Sequence, residues 1–411
     1  MHICVFSRQV FSQGVKGGME IHGKLLSEGL VQKGCRVSVI STRHPSGKTY
    51  DCIQGVDFYC LKDTVFGSRR NGWPQESVKL FFHLNAKHTV DAVWSQSFDA
   101  YGLVGIGKSQ LHVPVIPILQ GCIHQEIVTF LVNVSKNRKL PLKILRSLAG
   151  LFYSYFVVQN RLLAFADAVI APSYQVPKDI RRWFGSRASE KCVTIFNGID
   201  TDHFHPEGDG REEIRSKYGL DKNIYLMLSA GRIIVEKGHQ VAIDVLARVK
   251  RRLPGAKLMI VGEGENLQNL KDIVSEKGLA NHVIFTGFVE NDNMARYYHS
   301  CDLFLMPTLR EEGLPFALIE LMACQKPAIV SGIGGNLSVI KDMHNGVLVP
   351  AGNAEAMAAK VLYLHANSNL SKNMALVARQ TAIEKFGVNQ MVAKTYKVLH
   401  RCSQNIRSPI A

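Results

Sequence analysis

Three short stretches of this 411-residue chain carry side chains suited to holding an anion. In Ser229-Ala230-Gly231-Arg232-Ile233-Ile234-Val235-Glu236-Lys237-Gly238, a guanidinium and an ammonium follow an apolar run. Arginine suits bidentate contact with phosphate oxygens, and lysine adds a compact point charge; a solvated strand-to-helix loop would read the same way. The second stretch runs from Pro307 through Glu312-Gly313-Leu314-Pro315-Phe316-Ala317 to Glu320, after the apolar run Leu303 to Met306. It reads as a loop opening a helix, with Glu312 just before the helix, Glu320 about a turn into it, and free N–H groups near Phe316 and Ala317 able to meet an anion. Glutamates near a helix start also serve as caps and as partners of the helix dipole. The third is the turn Gly14-Val15-Lys16-Gly17-Gly18-Met19-Glu20, whose paired glycines let the backbone approach a phosphate or a ring. Gly262 and Gly264 lack the full dinucleotide fingerprint, so NAD binding does not follow.

Elements of a doubly wound sheet are needed to bring such stretches together. Apolar runs at Ile3 to Phe6, Val37 to Ile40, Ala92 to Trp94, Val115 to Leu119 and Ala168 to Ala171 alternate with amphipathic stretches, as buried parallel strands do. The second half repeats the pattern with Tyr225 to Leu228, Lys257 to Val261, Val283 to Thr286, Leu303 to Met306, Ala328 to Ser331 and Gly346 to Val349. The chain is thus α/β, with two doubly wound parallel-sheet domains of Rossmann-like type and a cleft expected between them. The polar, glycine-bearing run Glu207 to Arg211 marks the junction, giving domains 1–205 and 206–385 and a closing segment 386–411. At 46% hydrophobic and 20% charged residues, the composition is that of a packed globular protein.

A formal charge of +15 favours an anionic partner. No basic stripe interleaved with aromatics appears, so a nucleic-acid partner is not expected. Between Lys136 and Arg161 the cations Lys136, Arg138, Lys139, Lys143, Arg146 and Arg161 surround an apolar run too short to span a bilayer. Such a segment can lie on an anionic membrane surface, or be a core helix with a basic flank. The first strand carries no basic leader or cleavage site, so a cytoplasmic protein is expected, peripheral on the inner face of the cytoplasmic membrane. Nine scattered cysteines without a CxxC pair read as reduced, mostly buried thiols, with no zinc site.

The ordered set of Gly17-Gly18, the Gly231-Arg232 to Lys237-Gly238 segment and the Glu312 to Glu320 pair within EGLPxxLxE resembles the GT-B retaining glycosyltransferases of family 4. The likeness also takes in Ala171-Pro172-Ser173, Phe196-Asn197-Gly198-Ile199-Asp200 and Ser331-Gly332-Ile333-Gly334-Gly335, and so runs over nearly the whole chain. It implies transfer of a sugar from a UDP- or GDP-sugar, with no cofactor and no metal, to a saccharide or lipid-linked acceptor, as in surface polysaccharide or lipopolysaccharide assembly. Arg232 and Lys237 would then hold the diphosphate, Glu320 the ribose, and Glu312 with the amides of Gly313 and Leu314 the donor sugar. Backbone near Val289 would meet the base, the amide of Phe316 would lie at the anion, and Gly17 and Gly18 would face the sugar from the acceptor-binding domain. The same likeness has the final helix, around Val388 to Leu399, crossing back onto the first domain. Two positions depart from the pattern: Gln120 stands where the family has histidine, with His124 four residues on, and Asn336-Leu337-Ser338 where it carries a glutamate. A sugar-nucleotide epimerase on the same scaffold and a non-catalytic sugar-nucleotide-binding subunit are the alternatives.

Overall fold

The structure is a computed structural model and describes residues 1–15, 17–121, 150, 153–208 and 210–407. Lys136, Arg138, Lys139, Lys143 and Arg146 of the basic segment, with Lys16, Cys122 and His124, lie outside the described residues. Chain contacts divide the protein into one unit of Met1–Gly198 with Val388–Ala411 and a second of Ile199–Gly387.

The first unit holds β1 (His2–Phe6), β2 (Arg36–Ser41), β3 (Tyr50–Ile53), β4 (Val56–Cys60), β5 (Ala92–Gln96), β6 (Val115–Ile118), β7 (Val169–Ala171) and β8 (Cys192–Thr194). They lie in the order β3-β4-β2-β1-β5-β6-β7-β8. All neighbours are parallel except the β3–β4 hairpin. Its turn places Gln54 and Gly55 at φ 50° and 75°, the left-handed pair that matches strand twist. Both faces of the sheet are covered, and side chains alternate between them. Ile3 and Val5 pack with Leu26, Leu30, Met391, Val392 and Leu399, whereas Cys4 and Phe6 pack with Trp73, Phe81 and Leu103. Half-exposed β3 and β8 lack the continuous apolar run that identifies a buried strand, so sequence periodicity passes over them.

The second unit holds β9 (Leu226–Ala230), β10 (Lys257–Val261), β11 (Val283–Phe285), β12 (Leu303–Met306), β13 (Ala328–Ser331) and β14 (Val347–Val349), all parallel, in the order β11-β10-β9-β12-β13-β14. Met227, Leu258, Ile260, Leu303, Leu305 and Ile329 pack on one face with Ile243, Leu246 and Val361. The unit begins at Ile199, ahead of the junction expected at 205/206. The Ile199 N–H donates to Phe386 O at 2.8 Å, and Arg379 donates to the carbonyls of Thr201 and Phe204 at 3.1 and 2.7 Å, which ties this stretch to the second core. Helix Val388–Arg407 instead contributes Met391, Val392, Val398 and Leu399 to the core of the first unit.

Candidate active site

In the second unit the chain winds outward through β9, β10 and β11, then returns to lay β12 on the other side of β9. Strand order reverses between β9 and β12, the usual ligand position in an open α/β sheet. The loops leaving their carboxyl ends are the Arg232–Lys237 segment and the segment that holds Glu312.

The two loops are joined directly. Lys237 Nζ donates to Glu312 Oε2 at 2.7 Å, with 26% and 20% of the two side chains exposed. Thr308 Oγ1 lies 3.2 Å from Glu312 Oε1, and the Leu309 N–H donates to Glu236 O at 2.8 Å. This approach requires glycine at Gly238, which sits at φ 70°, because a Cβ there would lie 1.9 Å from Pro307 O. A third strand end closes on the same point: Gly335 N donates to Glu312 O at 2.7 Å, and a Cβ on Gly335 would lie 1.8 Å from Gly313 O. Gly262 has a similar packing role, since a Cβ on it would meet Gly231 O at 2.0 Å.

Electrostatics follow from this packing. Burial works to raise the Glu312 carboxyl, but the Lys237 ammonium with its hydrogen bond, the charge of Arg310 and the Thr308 hydroxyl outweigh it, leaving Glu312 below the usual carboxylate range. Glu320, the fifth residue of helix Phe316–Ala323, is 3% exposed. Its Oε1 accepts from Asn291 Nδ2 and its Oε2 from the Tyr298 hydroxyl, both at 2.9 Å. Burial raises this carboxyl, and the two hydrogen bonds oppose the rise without cancelling it. His239, at the start of the helix after Gly238, is pushed down to about 4 by burial and is therefore neutral at pH 7. Its Nδ1 lies 3.1 Å from Ser229 Oγ.

Arg232 is exposed in the loop after β9, with no ion pair among the described residues. Val289 is partly exposed beyond β11, whereas Gly313, Leu314 and Phe316 are buried, so any contact they offer a ligand comes from backbone. Gly17, Gly18 and Gln120 belong to the first unit. Gly17 caps helix Gly18–Gln32, and a Cβ on it would meet Glu20 Oε2 at 2.6 Å. The Gln120 amide forms a reciprocal pair with buried Asn197, at 3.2 and 3.0 Å. At the position where the resemblance calls for an acid, Asn336 turns inward and donates to Ser331 O at 2.9 Å. Sequence reasoning missed Thr308, Asn291 and Tyr298. Thr308 lies just past the end of β12, where ligand residues gather, and that position was its signal. Asn291 and Tyr298 precede Glu320 by 29 and 22 residues, and their contact with it exists only after folding. Among the described residues no group of three or more His, Cys, Asp or Glu could hold a metal ion.

The structure thus joins Lys237 to a charged Glu312 at the switch point, with Arg232 on the same loop as Lys237 and Glu320, held by two donors, on the helix that follows Glu312. Such an arrangement can neutralise a diphosphate and accept hydrogen bonds from hydroxyls. Comparison with known proteins gives the same direction. The model described as Glycosyltransferase Family 4 matches residues 16–203, and that of Glycosyl transferases group 1 matches residues 210–381. A GDP-mannose-dependent α-(1-6)-phosphatidylinositol monomannoside mannosyltransferase of Mycolicibacterium smegmatis is 31% identical over 46% of this chain and 51% of its own length, so this chain spans about half of that relative. An uncharacterized glycosyltransferase of Methanocaldococcus jannaschii is 25% identical over 93% of this chain and 94% of its own. Anabaena HepE, solved in complex with UDP and glucose, shares the fold with a TM-score of 0.74 and 18% identity, covering 97% of this chain and 99% of that one. With one model matching each half and the fold shared over nearly the full length, the chain belongs to the family 4, group 1 glycosyltransferases of the GT-B fold.

Proposed function

We propose that this protein transfers a sugar from a nucleoside diphosphate sugar, with UDP- and GDP-sugars the candidate donors, to a saccharide or lipid-linked acceptor with retention of anomeric configuration. The observation that carries the reading is the Lys237–Glu312 pair at the β9/β12 switch point, held by loops that touch only because Gly238 and Gly335 lack side chains. Arg232 and Lys237 take the diphosphate, Glu320 accepts from the ribose hydroxyls, and Glu312 with the amides of Gly313 and Leu314 takes the donor sugar. The amide of Phe316 at the helix start faces the phosphates, and backbone at Val289 meets the base.

In the transfer the bond from the anomeric carbon to the β-phosphate oxygen breaks, and a bond to the acceptor oxygen forms on the same face. The acceptor proton passes to the departing phosphate, which leaves as the nucleoside diphosphate. Arg232 and Lys237 stabilise the charge that grows on this leaving group. The cation pair supplies this counter-charge without a bound metal, so turnover persists in excess chelator. The high net charge supports work at an anionic membrane surface on the cytoplasmic side, in assembly of surface polysaccharide or lipopolysaccharide. Among the described residues no helix is long and apolar enough to cross a membrane.

Calorimetric titration with UDP, GDP and ADP and their sugars tests the reading. One nucleotide class should bind to the wild type, and Glu320→Ala should lose that binding. Absence of binding to every nucleotide sinks the proposal.

A further inference from the structure

The first unit carries a cavity of about 150 Å³ at the amino ends of β5 and β6, the opposite end of the sheet from Gly17 and Gln120, which follow the carboxyl ends of β1 and β6. Its walls come from the last turns of helix Trp73–Lys87, from the chain that leads into β6, and from Ser403 on helix Val388–Arg407. Phe81, Val90, Leu111 and Val113 form the floor and belong to the core beneath it. A volume of this size holds one six-membered ring.

Over that floor stand an aromatic ring and several polar side chains. Phe82 is 39% exposed although it follows buried Phe81, with ring centroids 5.3 Å apart. Asn85 lies one turn further along the helix, on the same face as Phe82. Its Oδ1 accepts from the Val90 N–H at 2.8 Å, which fixes the amide and leaves Nδ2 as a donor. Across the cavity, exposure alternates along Gln110, Leu111, His112 and Val113. The two apolar side chains enter the core, so the Gln110 amide and the His112 imidazole stand out from it. Among the described residues, neither of these side chains, nor the Thr89 hydroxyl, makes a hydrogen bond to protein. Asp91 lines the cavity with its Oδ2 accepting from the His2 N–H at 2.7 Å, and among the described residues no lysine or arginine lines it. In a chain of formal charge +15, such a lining is unsuited to a phosphate or a nucleotide.

We propose that this cavity is a saccharide-binding site remote from the proposed site of transfer, and that it takes one neutral pyranose unit. The C–H face of the ring rests on Phe82, and its hydroxyls exchange hydrogen bonds with Asn85 Nδ2, the Gln110 amide and the His112 imidazole. A planar amide offers donor and acceptor side by side, which suits a pair of neighbouring hydroxyls. A purely apolar ring of the same size would leave these polar groups unpaired, and an anion would meet the Asp91 carboxylate without a counter-charge. An apolar floor with a few placed polar groups is the usual form of a small-molecule site. The inference goes beyond the transfer reading, because the cavity takes no part in the donor chemistry.

The probes are the methyl α-pyranosides of glucose, mannose and galactose, the same sugars free, cyclohexanol, and inorganic phosphate, followed on the full chain by saturation-transfer NMR. At least one pyranoside should bind at millimolar concentration. Phe82→Ala and Gln110→Ala change exposed side chains on separate walls, and each should weaken that binding about fivefold, through one lost ring contact and one lost hydrogen bond respectively. UDP and GDP titrations of the same samples should not change, which shows that both variants are folded. Equal affinity for a glycoside and its free sugar supports the site as one for a unit within a chain, and tighter binding of the free sugar supports it as one for a monosaccharide. The proposal is overturned if no sugar binds, if neither variant weakens the binding, or if cyclohexanol or phosphate binds the cavity as tightly as the sugars. Absence of nucleotide binding in the wild type defeats the transfer reading and leaves this one standing.

Discussion

Lys237→Met removes the ammonium from a carboxylate that burial already disfavours. Breaking a fully buried pair from one side costs about 3–5 kcal/mol, and exposed pairs contribute about 0–1 kcal/mol. With 26% and 20% of the two side chains exposed, this pair lies between those limits, at about 1–2 kcal/mol. For a unit of this size that is a fall in Tm of roughly 2–8 °C. The cost is one of an orphaned charge, so Glu312→Gln added to Lys237→Met should restore most of the lost stability. Turnover should not return with it, because a missing cation at the leaving group lowers kcat by about 10²–10³. The sign with pH is fixed as well. A carboxylate held below its unfolded value gives stability that is full at neutral pH and is lost as pH falls through the folded value. The difference in Tm between wild type and Lys237→Met should therefore shrink on acidification. Calorimetric melting of the four proteins of the cycle, from pH 7.5 downward, with donor consumption on the same samples, measures each part. Additive Tm changes, or a double variant that recovers turnover, refute the reasoning.

Glu320 behaves in the opposite sense. Burial raises it, so the folded protein takes up its proton first and gains stability as pH falls through the raised value, while nucleotide affinity, if Glu320 holds the ribose as proposed, weakens. Tyr298→Phe removes one of its two donors and should move that weakening to higher pH, read by nucleotide titration across a pH series. Gly335→Ala should lower Tm by the equivalent of about 1–3 kcal/mol and loosen nucleotide-sugar binding through Gly313, whereas Gly255→Ala, with nothing within 4 Å of the added carbon, should change neither. Turnover in excess EDTA should match that with added magnesium or manganese, and a loss restored by either ion would refute a cation pair acting alone.

Buried parallel strands are continuous apolar runs, so their number in the second unit and the loops that follow them could be read along the chain. The spacing of Arg232, Lys237, Glu312 and Glu320 was legible for a related reason, since loops at strand ends carry the chemistry while the sheet only positions them. Half-exposed β3 and β8 gave no such signal. Which core Ile199 to Phe204 joins is decided by folding and is not reported by any local pattern.

What the sequence determined by itself was the list of groups able to meet a diphosphate and the class of sheet that carries them. Tertiary structure decided how those groups are paired. Lys237 and Glu312 are 75 residues apart and meet because strand order reverses between β9 and β12. Glu320 is fixed by Asn291 and Tyr298 from an earlier helical segment, and Arg8 meets Asp99 across 91 residues of chain. Local periodicity reports burial over a few residues, whereas the charge state of a carboxylate depends on the donors and cations that folding brings within about 3 Å of it.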